Sequence, residues 1–288
     1  MSTSTTSSIF GRSSNLPSQF ADTAQTIARE AGAVIRDFAA KHIGFELKGE
    51  HDLVTEADRT SERLIVERLR AAFSEHDIVA EEGGGQQTGA EYRWYVDPLD
   101  GTTNFAHGFP FYNVTMALER QGELIAGVIF DPTRDEMFSA ERGGGAFLNG
   151  KSIRVSKTNT LDAALVSTGF PSRRRHLNVN VHFYYQLAML THGVRRAGAA
   201  AIDLAYVACG RVEAFWEIGL NPWDMAAGVL MVEEAGGRTS DMYGNKLSLQ
   251  GRHVMADNGL VHDELVALFQ RITENDVQYP MVKMSGDF

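Results

Sequence analysis

Two aspartates and a Gly-Thr-Thr sequence follow one apolar stretch of this chain. The segment WYVDPLDGTTNFAHG, Trp94 to Gly108, places Asp97 and Asp100 directly after aromatic and aliphatic residues. Mg²⁺ prefers oxygen ligands in octahedral geometry, and one carboxylate can bridge two ions about 3.5–4 Å apart. We therefore predict that Asp97 and Asp100, separated by one tight turn, face a common point, and that Asp97 bridges two ions.

The residues after these aspartates could bind an anion. Gly101, Thr102 and Thr103 are predicted to begin a helix, and the first N–H groups of a helix lack intrahelical partners. These groups and the helix dipole favour a bound phosphate, and glycine allows the backbone to approach it closely. One short segment would then supply both metal ligands and an anion site.

Three further acidic segments accompany this one. They are DLVTEAD (Asp52 to Asp58), AEEGGG (Ala80 to Gly85) and NPWDMAAG (Asn221 to Gly228). In three of the four segments the acids lie at predicted strand–helix junctions, where ligands of layered α/β proteins usually bind, and Asp58 opens a helix. The joint pattern predicts a metal-dependent site, with Glu81 on one ion and Asp100 on the other.

Each segment also has a purely structural interpretation. These are a turn at Asp97-Pro98, an N-cap at Asp100, a capping box at Thr55 and Asp58, a solvated loop at Glu81 and Glu82, and a strand-to-helix corner capped by Asp224. Asp58 can cap a helix and serve a site together. The functional interpretation is favoured because four such segments occur in a chain with no other catalytic signature.

Other motifs do not fit. The G-x-x-x-x-G-K-[ST] spacing occurs at Gly145 to Ser152, but the glycine run there precedes strand-like sequence and predicts a hairpin turn. The chain has no H-E-x-x-H pair, and the two aspartates lack the alternate spacing of an EF-hand. Haloacid-dehalogenase-like phosphatases use Asp-x-Asp-Gly-Thr and a covalent aspartyl intermediate. The additional residue between Asp97 and Asp100 makes that mechanism a remote alternative.

Composition limits the remaining classes. The 288 residues are 43% hydrophobic with a net charge of -10, which argues against a nucleic-acid partner. The single cysteine, Cys209, indicates a reducing compartment, and no apolar run approaches the roughly 20 residues of a membrane span. We expect a cytoplasmic protein with no membrane association.

Hydrophobic periodicity predicts the elements that position these residues. Helices are expected at 19–41 and 55–73, and an antiparallel meander at 111–156. Alternating strands and helices are expected after about 158, with helices at 176–190 and 261–271 among them. The predicted organisation is a disordered tail at 1–18, an N-terminal α+β half at 19–157 with most metal ligands, a C-terminal α/β half at 158–274 and a tail at 275–288. The fold class is a layered α/β or α+β architecture.

Four stretches together resemble the inositol monophosphatase family. They are DPLDGTTNFAHGFPF, the upstream AEE, DLVTEAD and the downstream PWDMAAG. The resemblance extends from about Phe20 to Ile272, and the stretch from Arg195 to Asp224 is similar to bacterial inositol-1-monophosphatases. It implies an αβαβα sandwich of the lithium-sensitive sugar-phosphatase type that assembles as a homodimer.

The resemblance also implies a role for each site residue. The metal ligands, for two to three Mg²⁺ ions, would be Glu81, Asp97, the Leu99 carbonyl, Asp100 and Asp224. The phosphate would be bound by Gly101, Thr102 and Thr103. Catalytic roles would fall to Asp58 and Thr102, which orient the attacking water, and to Glu81. The substrate would contact Asp100, Gly198, Ala200, Glu217 and Asp224.

The resulting prediction is a Mg²⁺-dependent phosphate-monoester hydrolase. The leading substrate is inositol 1-phosphate, attacked by metal-activated water without a covalent intermediate. The alternative is a related phosphatase of histidinol phosphate, fructose 1,6-bisphosphate or a 3′-phosphonucleotide. A metal-binding regulatory protein is the remote alternative from another class.

Overall fold

The computed structural model describes residues 19–41, 45–49, 52–171 and 178–280. The predicted tail at 1–18 and the last eight residues of the predicted C-terminal tail lie outside the described residues. Part of the predicted helix at 176–190 does so too, and that helix is described from Asn180 onwards.

The described chain contains seven helices. They are α1 (Gln19–Ala40), α2 (Glu56–Ala72), α3 (Thr102–Ala106), α4 (Asn180–Leu190), α5 (Ala200–Ala208), α6 (Pro222–Glu234) and α7 (His262–Thr273). The two long N-terminal helices and the last helix agree with the predicted ones to within two residues. In this described part, no helix has the length and apolar character needed to cross a membrane.

The described strands form three sheets. The small sheet pairs β1 (Phe45–Gly49) with β2 (Asp52–Thr55), a hairpin that the sequence analysis did not predict. The seven-stranded sheet runs in chain order through β3 (Asp77–Ala80), β4 (Tyr92–Asp100), β5 (Asn113–Arg120), β6 (Glu123–Asp131), β7 (Glu136–Glu141), β8 (Gly145–Leu148) and β9 (Lys151–Ser152). The five-stranded sheet contains β10 (Leu165–Thr168), β11 (Gly193–Arg195), β12 (Ala214–Ile218), β13 (Arg238–Ser240) and β14 (His253–Asp257), in the order β11-β10-β12-β14-β13.

Three hydrophobic clusters show how these elements form layers. One cluster joins α1 and α2 to one face of the seven-stranded sheet, through residues such as Ile35 and Trp94. A second buries α5 and α6 between the two large sheets. The third packs α4 and α7 on the outer face of the five-stranded sheet, where Phe183, Trp216 and Phe269 meet. The order is α–β–α–β–α, which confirms the predicted sandwich.

The sequences of the helices reflect these layers. Helix α1 has one sheet-facing side, so its buried residues recur at helical spacing, as Ile27, Ala31 and Ile35 do. Helix α6 has a sheet on either side, and every residue from Met225 to Val232 is buried. A helix that is apolar all round must be enclosed, and here it brings Asp224 into the middle layer.

Candidate active site

A β-bulge, and not the predicted tight turn, separates the two aspartates. Strand β4 continues through Asp100, and three residue steps from Asp97 to Asp100 oppose only two on β5, from Thr115 to Asn113. One additional residue reverses the alternation of side chains. Leu99 accordingly packs with Trp94 on the face covered by α1 and α2, and Asp100 turns to the face covered by α5, which Tyr95 also occupies.

The polar backbone atoms of the bulge all have partners. Pro98 has no N–H to satisfy, and its carbonyl accepts from the Ser61 hydroxyl at 3.0 Å. The Leu99 N–H donates to Asp97 Oδ1 at 2.9 Å, and the Leu99 carbonyl oxygen lies 3.0 Å from Thr102 Oγ1. Buried backbone groups without partners are costly, so these contacts stabilise the bulge.

Asp97 is the predicted metal ligand on which the largest number of neighbouring acids acts. It is buried on β4, and burial raises its pKa well above the usual range. The negative charges of Glu81, Asp100 and Asp224 raise the pKa further. Four predicted metal ligands therefore lie close enough to repel one another.

The loop that carries Glu81 is fixed by a second acid. The Glu81 N–H continues the pairing of β3 with β4 by donating to the Val96 carbonyl at 3.1 Å. Glu62 on α2 is 4% exposed and accepts from the N–H groups of Glu82 and Gly84 at 2.7 and 2.8 Å. The sequence analysis missed Glu62, which occupies one of the inward positions of the α2 pattern.

Asp100 is held from two directions. Its Oδ2 accepts from Asn113 Nδ2 at 2.8 Å and from the Ala201 N–H, at the start of α5, at 2.9 Å. These donors oppose the effect of burial, which nevertheless raises the pKa of Asp100 to about 6. The sequence offers no local signal for Asn113, because its contact with Asp100 depends on strand register.

Asp224 enters the site from the first turn of α6. Its Oδ2 accepts from the Asn221 N–H at 2.7 Å, which is the capping contact predicted from the sequence. Burial raises its pKa to about 8, and the charges of Asp100 and Glu81 act in the same direction. Asp224 therefore combines a capping role with a place in the carboxylate cluster.

Asp58 and Thr102 form the connected pair that the resemblance implied. Asp58 Oδ2 accepts from the Thr55 N–H at 2.8 Å and from Thr55 Oγ1 at 2.5 Å, which confirms the capping box. The other oxygen, Oδ1, lies 2.9 Å from Thr102 Oγ1. Because both oxygens are engaged, Asp58 holds the Thr102 hydroxyl in one place.

The predicted phosphate-binding residues begin helix α3. Gly101 is the N-cap in the left-handed region, at φ 93°, and Thr102 and Thr103 form the first turn. A Cβ at Gly101 would lie 2.9 Å from the Phe111 carbonyl oxygen, so this position also has little space. Asn104 Nδ2 ties α3 to the carbonyl groups of Phe111 and Ala197 at 2.7 and 2.8 Å.

Replacing Gly101 by Ala is expected to destabilise the metal-free protein by about 2–5 kcal/mol. An L-residue in the left-handed region costs about 1–2 kcal/mol, and the contact with Phe111 adds an overpacking cost of about 1–3 kcal/mol. Urea unfolding followed by circular dichroism measures this change. Gly143→Ala is the matched control, because φ at Gly143 is 74° and no atom lies within 4 Å of its Cβ position. Equal losses in the two variants would contradict a steric role for Gly101.

The predicted substrate residues that are not metal ligands belong to β12, to the start of α5 and to the turn before it. Ala200 is the first residue of α5, and Gly198 precedes it at φ 88° beside Asn104. Glu217 is buried on β12 against Gly169, where a Cβ would overlap its carboxylate. Burial raises the pKa of Glu217 well above its usual range, and the charges of Asp203, Asp224 and Asp100 add to this effect.

Asp203 and Ser167 were missed by the sequence analysis. Asp203 is 3% exposed on α5, and burial together with the charge of Asp100 raises its pKa well above the usual range. An aspartate four residues into an apolar helix is a recognisable signal, because a buried carboxylate is costly. Nothing in the sequence indicates its neighbour Ser167 on β10.

The carboxylates fit a divalent cation in their chemistry, although they are not preassembled around one. In the described part of the chain, no three Asp, Glu, His or Cys side chains are already arranged as a metal site. Instead Glu81 and Asp97 interact through a hydrogen bond that favours the protonated form of Asp97. Carboxylates must be deprotonated to bind a metal, so a cation would take the place of this proton and offset the mutual repulsion.

Comparison with known proteins agrees with this architecture. Residues 16–274 match the inositol monophosphatase family. The chain is 42% identical over 255 residues to an inositol-1-monophosphatase of Rhizobium meliloti, an alignment that covers 86% of this chain and 94% of the relative. It is 48% identical over 229 residues to the Nus factor SuhB of Pseudomonas aeruginosa, covering 77% and 84%. The structure of an inositol monophosphatase from Anabaena superimposes with a TM-score of 0.79 at 40% identity, covering 89% of this chain and 95% of the other.

The family match covers the elements that carry all the predicted site residues. The comparisons and the α–β–α–β–α layers therefore lead to the same assignment. The chain belongs to the inositol monophosphatase family and is a phosphoric monoester hydrolase.

Proposed function

We propose that this protein hydrolyses polyol phosphate monoesters, with inositol 1-phosphate as its leading substrate and two to three Mg²⁺ ions as cofactors. The observation that carries the proposal is the convergence of Glu81, Asp97, Asp100 and Asp224 beside the first turn of α3. Acids that raise one another's pKa at a functional cleft are typical of a cation site. The name of the Rhizobium relative supports inositol 1-phosphate as the substrate.

Those four carboxylates and the Leu99 carbonyl would hold the metal ions. Mg²⁺, when bound, supplies positive charge for the phosphoryl oxygens and lowers the pKa of water. The carbonyl of Leu99 is in place because the bulge presents it beside Thr102.

The start of α3 orients the phosphate. The N–H groups of Gly101, Thr102 and Thr103 belong to the first turn, where helical backbone groups lack intrahelical acceptors. Such groups donate to phosphoryl oxygens and favour the charge that accumulates there in the transition state. The left-handed conformation of Gly101 allows this turn to follow directly from the bulged strand.

Thr102 and Asp58 position the attacking water. The single hydrogen of the Thr102 hydroxyl donates to Asp58 Oδ1 at 2.9 Å, which leaves a lone pair of Oγ1 to accept a hydrogen from water. Asp58 maintains this direction because Thr55 holds its second oxygen. Water oriented in this way attacks phosphorus in line with the leaving alkoxide, and no covalent intermediate is required.

Thr102→Val is expected to lower kcat about 10²-fold, while Thr102→Ser retains most of it. Valine has the shape of threonine but neither donates to Asp58 nor accepts from water, and losing one positioned catalytic group costs about 10²–10⁴-fold. The measurement is phosphate release under saturating substrate and Mg²⁺. A serine variant as impaired as the valine variant would show that the methyl group, and not the hydroxyl, is the important feature.

The proposed function is tested by a phosphate-release panel. It contains inositol 1-phosphate, histidinol phosphate, fructose 1,6-bisphosphate and a 3′-phosphonucleotide, each with and without Mg²⁺ and lithium. The proposal expects the highest kcat/KM for inositol 1-phosphate, with Mg²⁺ dependence and lithium inhibition. A higher value for another ester would move the assignment to the related phosphatases, and phosphoenzyme trapped with beryllium fluoride would contradict water attack.

The homodimer implied by the resemblance is part of the same proposal. Sedimentation equilibrium of the full chain tests it, with a mass near twice 31.7 kDa as the expected result. A mass of one chain at micromolar concentration would contradict it.

A further inference from the structure

Asp203 is a buried acid close to the candidate site that none of the proposed steps uses. It lies in the first turn of α5, and its side chain is in the layer between the two large sheets. The neighbouring acids on this side are Asp100 and Glu217, and Arg196 supplies the nearby positive charge. Its place suggests a role on the substrate side of the site.

The strand register shows which groups face Asp203 from the five-stranded sheet. Ser167 on β10 lies opposite Phe215 on β12, and Phe215 packs with α5 and α6. Glu217 is two residues further along β12 and therefore faces the same side. Ser167 and Glu217 thus point from adjacent strands towards the helix that carries Asp203.

Two polar atoms in this group form no well-aligned hydrogen bond among the described residues. They are Asp203 Oδ2 and Ser167 Oγ, in side chains that are 3% and 0% exposed. Buried polar groups are nearly always hydrogen-bonded, and exceptions often mark functional positions. A structural role alone does not account for this pair, because an apolar side chain would fill the same space without the desolvation cost.

Asp203 is the acid whose charge acts most strongly on Glu217, and it raises the pKa of Glu217 more than any other charge does. The Ser167 hydroxyl and Arg196 act on Asp203 in the opposite sense and lower its pKa. When one of two neighbouring buried carboxyl groups is protonated, the repulsion between two negative charges is removed. The protonated carboxyl can then donate a hydrogen bond to the other.

Glu217 has little freedom on its remaining side. Gly169 follows β10, and its backbone lies directly against the Glu217 carboxylate. The Gly169 carbonyl is in turn fixed by Asn180 Nδ2 at 2.7 Å. The carboxylate of Glu217 therefore lies between a rigid backbone segment and the Asp203–Ser167 pair.

We propose that Asp203, together with Ser167, is a positioning residue that holds the Glu217 carboxylate towards the hydroxyl groups of the substrate. It thereby sets the preference of the enzyme for esters of polyols over esters without hydroxyl groups. The inference rests on the proposed function, in which Glu217 contacts a substrate hydroxyl. Asp203 itself touches neither the phosphate nor the water that attacks it.

The test compares two substrates in the full-length protein with Mg²⁺. Inositol 1-phosphate carries hydroxyl groups beside the ester, and p-nitrophenyl phosphate carries none. The measured quantity is the ratio of the two kcat/KM values for the unchanged protein, Asp203→Leu, Asp203→Asn and Ser167→Ala. Asp77→Asn is the matched control, because Asp77 is a buried acid on β3 whose partners, Thr88, Gly89 and Ala90, lie outside the site.

Asp203→Leu is expected to lower the ratio at least about tenfold, because the Glu217 carboxylate loses the polar neighbour that holds it. Asp203→Asn keeps a donor of the same shape and is expected to retain the ratio within about threefold. Ser167→Ala should lower the ratio less than Asp203→Leu, and Asp77→Asn should leave it unchanged.

An unchanged ratio in Asp203→Leu, or equal losses on both substrates, would overturn the proposal. If Asp203→Leu does not fold, as judged by circular dichroism, an unchanged ratio in Ser167→Ala would overturn the proposal in its place. Failure of the unchanged protein to hydrolyse inositol 1-phosphate, with p-nitrophenyl phosphate still hydrolysed, would instead overturn the proposed substrate. Hydrolysis of neither ester would overturn the proposed function, and the role of Asp203 with it.

Discussion

Asp100→Asn is expected to lower kcat for inositol 1-phosphate by about 10³-fold while the protein remains folded. Asp100 contributes charge and an oxygen ligand to the proposed cation site, and removal of one strong electrostatic contact at such a site costs about 10²–10³-fold. The fold should tolerate the change because asparagine retains an oxygen that can accept from Asn113 and Ala201. Steady-state phosphate release and circular dichroism measure the two properties.

Asp135→Asn is the control for this substitution. Asp135 is an exposed aspartate that pairs with Arg29 on the surface, and surface ion pairs contribute little to stability. The control is expected to retain full turnover. Turnover of Asp100→Asn within tenfold of the unchanged protein would contradict the assignment of Asp100 as a metal ligand.

The second large effect is expected in the stability of the metal-free protein. The pKa of Asp224 rises to about 8 in the folded state, from an ordinary value of 3.8. Between about pH 4 and pH 8 the folded state therefore binds more protons at this site than the unfolded chain does. The free energy of unfolding consequently falls as the pH rises through this window.

Asp224→Asn isolates this contribution. At pH 8, without divalent ions, the variant is expected to be more stable than the unchanged protein, and the difference should disappear towards pH 4. Other groups change the stability with pH in the opposite direction, as His76 does, because burial lowers its pKa. Their contributions are the same in both proteins and cancel when the two are compared at one pH. Urea unfolding in the presence of a chelator measures the difference. A variant that is less stable than the unchanged protein at pH 8 would contradict the argument.

Mg²⁺ should make the unchanged protein more stable than Asp224→Asn, which reverses the order expected without the metal. At a concentration a hundredfold above its Kd, a ligand of the folded state adds about 2.7 kcal/mol, which corresponds to a rise in Tm of about 4–5 °C for a protein of this size. The rise should be larger at pH 8 than at pH 6, because carboxylates must lose protons to bind a metal. Asp224→Asn should show a smaller rise, and an equal one would exclude Asp224 as a ligand.

Much of the site could be predicted because its parts are local in sequence. The capping box joins Thr55 to Asp58 over three residues, and Asp224 accepts from Asn221 over the same interval. Helix α3 begins at Thr102 because Gly101 adopts the left-handed conformation that precedes it. Contacts of this kind depend on residue type and short spacing, both of which are visible in the sequence.

The side chains of Asp97 and Asp100 lie on one face of the sheet, as predicted, but a bulge and not a tight turn brings them there. The sequence suggested a tight turn, because proline and glycine flank the segment. Strand β4 in fact continues to Asp100, and a bulge turns Asp100 to the face of Asp97. The bulge depends on pairing with β5 and on the Ser61 hydroxyl of α2, and neither partner can be identified from residues 94–108 alone.

The types of the site residues, their local caps and the layered fold class follow from residue type and short-range spacing. The tertiary contacts do not: Asn113 and Ala201 hold Asp100, Glu62 fixes the loop of Glu81, and Ser167 and Glu217 point towards α5. These contacts depend on strand register and on the packing of helices between two sheets. Such packing joins residues 13 to 101 positions apart, over which residue spacing carries no information on proximity.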